Sequence, residues 1–111
     1  MAKKNTQDAV DKLAAIAHEG RLKLMRRLIK AGDAGMAAGD LARFAGVSAT
    51  TASAQLQVLG NADLVSVRRS GRMMIYAANY QSMRGLLRFL MEDCCADRPE
   101  ICGPLKESVA G

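Results

Sequence analysis

The sequence contains no tryptophan, and aromatic residues of any kind make up only 4% of it. A protein that holds single-stranded nucleic acid by stacking bases needs more rings than that. Histidine occurs once, and His18 falls at a junction between two helical patterns, where a packing or capping role outweighs that of ligand or catalyst. No stretch approaches the roughly 20 uninterrupted apolar residues of a membrane span. The opening Met1-Ala2-Lys3-Lys4-Asn5 lacks the apolar core of a secretion signal, so the expected location is cytoplasmic. Acids are the scarcer charge: 11 Asp and Glu stand against 16 Lys and Arg, a net charge of +5 that fits a polyanionic partner.

What remains is the composition of one small globular domain. A chain of 111 residues, half of them apolar, can bury one modest core and is too short for two. Val10, Leu13, Ala14, Ile16 and Ala17 mark an amphipathic helix from about Asn5 to Ala17. The sequence His18-Glu19-Gly20 then predicts a break, with a second helix from about Arg21 carrying Leu22, Leu24, Met25, Leu28 and Ile29. Ala31 to Gly35 reads as a turn. Met36 to Gly46 reads as a short helix through Leu41, Ala42 and Phe44.

The most informative stretch is Val47 to Leu59. Ser48 is a good N-cap, because its hydroxyl can accept a free N–H of the first turn. Ala52, Leu56 and Leu59 share one helical face and predict a core contact. Thr50, Thr51, Ser53, Gln55 and Gln57 fill much of the remainder, and the stretch contains no charged residue. A solvated helix face normally carries Lys and Glu, whereas hydroxyls and amides suit phosphate oxygens and base edges in the major groove. An uncharged surface helix without a partner is the competing interpretation. The next segment weighs against it: Leu64 to Val67 and Met73 to Tyr76 are β-leaning runs joined by a Ser-Gly turn, and Arg68, Arg69 and Arg72 crowd the tip. Three like charges repel there and gain most opposite a phosphate backbone. Two short helices followed by a basic hairpin predict a mostly α winged helix-turn-helix that binds double-stranded DNA.

A last helix from about Tyr80 to Asp93 bears Met83, Leu86, Leu87, Phe89, Leu90 and Met91. Like the first helix, it has more apolar surface than so small a domain covers easily. The two terminal helices therefore predict a homodimer with two reading heads for a two-fold operator. Cover of one by the other within a single chain is the alternative.

All three cysteines, Cys94, Cys95 and Cys102, lie in residues 94–111. This tail is set apart from the DNA-binding and dimerisation domain of residues 1–93. Three thiols without a nearby histidine suit a soft, thiophilic ion. Structural zinc takes four ligands, so it would need a carboxylate, a water or a ligand from a partner subunit. Trivalent arsenic takes three sulfurs, as antimonite does. Glu92, Asp93, Asp97 and Glu100 surround the thiols and disfavour a build-up of thiolate, which a neutral arsenous acid tolerates better than a dication does. Reversible oxidation or persulfide formation competes with metal sensing. A thiol redox enzyme stands further off, since the chain has no Cys-x-x-Cys motif and no phosphate-cradling loop.

The segments Leu13 to Met25, Gly39-Asp40-Leu41-Ala42, Val47-Ser48 through Leu59, Ala62-Asp63-Leu64-Val65 and Arg68-Arg69-Ser70-Gly71-Arg72 together resemble ArsR/SmtB-type transcriptional repressors. The resemblance implies a homodimeric winged-helix protein that occupies an operator and leaves it when an inducer binds. Gln55 stands where the family often has histidine, and Asp63 where it usually has glycine. The Met36 to Asp40 stretch lacks the family's cysteine pair at the start of the reading head, and Tyr80 to Asp93 lacks the histidines of zinc sensors. The Cys-Cys-x6-Cys tail is similar to that of an arsenic-responsive subgroup, which implies Cys94, Cys95 and Cys102 as inducer ligands.

Overall fold

The computed structural model describes residues 6–97, with side chains described through residue 92. The elements in chain order are α1 (Thr6–Ile16), α2 (Glu19–Ala31), a 3-10 turn (Gly32–Ala34), β1 (Met36–Ala37), α3 (Ala38–Ala45), α4 (Ala49–Asn61), β2 (Val65–Ser70), β3 (Met73–Ala78) and α5 (Tyr80–Asp97). The mostly α winged helix-turn-helix expected from the sequence is the observed fold.

Helix α2 is the hub. Leu24, Met25 and Leu28 are fully buried, and they meet Leu41 of α3, Leu56 and Leu59 of α4, and Leu64 beyond it. Each such side chain contributes about 1.5–3 kcal/mol by leaving water. The helix begins at Glu19, two residues before the predicted start, and Gly20 lies inside it. His18 makes this possible as a cap: its Nδ1 accepts from the backbone N–H groups of Gly20 (3.1 Å) and Arg21 (3.3 Å). Arg21 in turn closes the end of α1, with Nε donating to the Ala15 carbonyl at 2.6 Å.

Helix α1 has two unlike sides. The inward side consists of Ala9, Lys12 and Ala15. Lys12 is 8% exposed, and its Nζ pairs with Asp8 Oδ1 at 2.9 Å, which offsets the cost of burying an ammonium. The larger side chains face away, leaving Val10 48% and Leu13 42% exposed.

The sheet is three-stranded and antiparallel, with β3 in the middle and β2 on the outside. Strand β1, which the sequence pattern assigned to the following helix, places Met36 opposite Tyr76 and Ala37 opposite Ile75. Gly35 leads into it at φ 69, and a Cβ there would overlap the Tyr76 carbonyl oxygen, so only glycine fits.

Helix α5 starts on Asn79, whose Oδ1 accepts from the Ser82 N–H at 3.2 Å. Leu86 is buried, while Leu87 and Leu90 are exposed. The helix continues to Asp97, so residue 94, where the sequence pattern begins the tail, falls within it, and Cys94 and Cys95 lie on its last turns. Cys102 lies outside the described residues. Among the described residues no helix is long and apolar enough to cross a membrane.

Candidate nucleic-acid interface

The turn between α3 and α4 is set by Gly46, which adopts the left-handed conformation (φ 71, ψ 33) and donates its N–H to the carbonyls at the end of α3. Ser48 then caps α4 as its sequence position predicts. Its Oγ accepts from the Thr51 N–H at 3.1 Å and donates to Thr51 Oγ1 at 3.0 Å, which leaves the threonine hydroxyl proton free to turn outward.

On α4, Ala52, Leu56 and Leu59 are buried, and Ser48, Thr50, Thr51, Ser53 and Gln57 are exposed. The exposed residues form one uncharged, hydrogen-bonding surface that begins at a helix N-terminus, whose free N–H groups favour an anion. Gln55 is not part of it. It is half-buried and falls at the same helical spacing as Ala52, Leu56 and Leu59. Its amide packs where Gly20 has no side chain, with Nε2 at 2.6 Å from the position a Cβ would take. Its Oε1 is buried without a hydrogen-bond partner.

The wing is β2 and β3, joined at Gly71-Arg72. Gly71 has φ 63 at the first central position of this two-residue turn, where a hairpin favours glycine. The three arginines are exposed but not equivalent. Arg68 reaches back across the sheet, with Nη2 donating to the Ala34 carbonyl at 3.0 Å. Arg69 Nε donates to the Gly71 carbonyl at 3.3 Å within the tip. Arg72 is in the turn itself.

Helix and wing meet along an open groove of about 370 Å³ that Ser53 and Gln57 share with Ser66 and Val67 of β2. Asn61 lines it too, one turn beyond Gln57. Neither Asn61 nor Ser66 stood out in the sequence, although the spacing of Ser53, Gln57 and Asn61 every four residues carried the signal for the first. Among the described residues no three His, Cys, Asp or Glu side chains gather as a metal site. The thiol tail lies beyond the described side chains.

A helix-turn-helix flanked by a cationic hairpin defines a winged helix-turn-helix protein. Residues 16–68 match the model of a helix-turn-helix domain family. The chain is similar to NolR from Sinorhizobium fredii, at 31% identity and a TM-score of 0.62, over 78% of this chain and 83% of that one. It is similar to a possible transcriptional regulator for arsenical resistance, at 28% identity and 0.65, over 77% and 84%. In fold it also matches an ArsR-like transcriptional regulator from Rhodococcus sp. RHA1, at 24% identity and 0.69, over 91% and 92%. No curated protein matches the chain. The similarity to a helix-turn-helix family is confined to residues 16–68, and the chain as a whole has the ArsR-like winged fold of its neighbours.

Proposed function

We propose that this protein is a transcriptional repressor that binds operator DNA as a homodimer and releases it when trivalent arsenic, or antimony, is held by Cys94, Cys95 and Cys102. The observation that carries the DNA-binding half is the uncharged face of α4, which shares a groove with the wing strand β2. Hydroxyls and amides on α4 read base edges, and the wing arginines meet phosphates. The exposed Val10 and Leu13 of α1, with Leu87 and Leu90 of α5, supply the self-complementary surface of a two-fold dimer. One similar structure is described as homodimeric.

The inducer half rests on donor chemistry. Arsenous acid condenses with three thiols, forming three As–S bonds and releasing three waters, and leaves no net charge beside Glu92 and its acidic neighbours. Helix α5 carries two of the thiols and also contacts the end of α4 through Ser82 and Asp63. A shift of α5 on ligation thus reaches the reading head. Couplings of this kind are typically about 1–3 kcal/mol and reciprocal.

Operator release, followed by fluorescence anisotropy under reducing conditions, tests both halves. Arsenite is expected to free the DNA from the wild-type protein and not from Cys102→Ser. Release by zinc alone, or only by a mild oxidant, would assign the same thiols to another soft metal or to oxidation and persulfide sensing. Absence of DNA binding would remove the first half altogether.

A further inference from the structure

On the flank of α2, at the end of α3, Lys23, Arg26, Arg27 and Lys30 line one open groove of about 450 Å³ together with Ile29 and Phe44. The four cations recur at i, i+3, i+4 and i+7, so they form a single stripe of like charge, an arrangement that costs helix stability. Among the described residues no carboxylate lines the groove and none pairs with any of the four. Its floor is apolar: Phe44 is 46% exposed, with the Arg27 guanidinium 5.2 Å above the ring. Arg27 Nε is buried and has no hydrogen-bond partner. The helical phase of α3 buries Leu41 and Ala42 and leaves the Phe44 ring at the rim.

We infer that this groove is a binding site for a small amphipathic organic anion, an aromatic or aliphatic group carrying a carboxylate, sulfonate or phosphate. The volume falls within the range of about 300–1,000 Å³ typical of small-molecule sites. An apolar floor under a cationic rim matches a ligand with both characters. A phosphodiester backbone would satisfy the cations and leave Phe44 and Ile29 uncovered. None of its lining residues belongs to the groove between α4 and the wing.

The test uses 1-naphthalenesulfonate as the probe, titrated into the full-length protein and followed by amide chemical shifts. Saturable shifts confined to residues 23–30 and to the vicinity of Phe44 are expected. Affinity should fall about tenfold in Arg27→Gln, which removes a charged donor, and also in Phe44→Ala, whose exposed ring can go without unfolding the domain. Neutral naphthalene should not bind there. Shifts elsewhere, or unchanged affinity in both variants, would overturn the assignment. So would Lys23→Gln and Lys30→Gln each lowering the salt slope of DNA binding by about one, which would make the stripe a phosphate contact instead.

Discussion

Ser82 of α5 donates a hydrogen bond at 3.1 Å to the Asp63 carboxylate, and Asp63 stands in the left-handed conformation, φ 65, just past the end of α4. The Leu64 N–H reaches back to the Leu59 carbonyl and the Asp63 N–H to that of Gly60, a Schellman ending whose left-handed position normally takes glycine. The carboxylate stabilises the unusual residue through Ser82 and through Asn79 Nδ2, which also donates to the Asp63 backbone carbonyl at 3.1 Å. The aspartate that stands where ArsR/SmtB-type repressors usually have glycine thus has two local partners.

Asp63→Ala keeps the backbone strain and loses the side-chain bonds, and should destabilise by about 1–3 kcal/mol. Asp63→Gly loses the bonds but relieves the strain, and should fall within about 1 kcal/mol of wild type. Urea unfolding midpoints decide it. Equal midpoints for Ala and wild type would mean that the Asn79 and Ser82 contacts contribute nothing.

Gly35 and Gly46 have nearly the same positive φ but different surroundings. A Cβ at Gly46 meets nothing within 4 Å, so Gly46→Ala should cost about 1 kcal/mol, the left-handed penalty alone. At Gly35 the Cβ runs into the β3 backbone, and Gly35→Ala should cost about 2 kcal/mol or more. Thermal unfolding of the pair should separate them clearly.

The three wing arginines should differ in the same way. Arg72→Gln is expected to lower the salt slope of operator binding by about one. Arg68→Gln also loosens the hold on the Ala34 carbonyl and should lower the melting temperature, which Arg72→Gln leaves unchanged. Identical behaviour of the two variants would contradict the division of roles.

Leu90 is 47% exposed on α5. Leu90→Glu should convert a sedimenting dimer to monomer and reduce operator affinity, since two linked heads bind far more tightly than one. A dimer that survives this change and Val10→Asp would place the subunit interface elsewhere.

Much of this was legible before the fold. The Ser48 cap, the buried Ala52, Leu56 and Leu59, and the wing all follow from local chemistry and period. Gln55 was misplaced among the exposed polar residues because its type was weighed above its spacing; three residues after Ala52 and four before Leu59, it belongs to the inward stripe. Strand β1 has two residues, too few for any period to register. The Arg68 contact joins residues 34 apart and depends on the closed sheet, so no local pattern could announce it.

Strand order carries one more consequence. With β3 in the middle, the six-residue strand β2 keeps one edge unpaired among the described residues, and such an edge is a template for pairing with another chain. Arg69 lies on that strand and Arg72 in the turn at its end, and their like charge opposes the close approach of a second wing. Neutralising them in search of weaker DNA binding therefore puts solubility at risk, and a variant that precipitates at high concentration would be reporting on the sheet edge rather than on the operator.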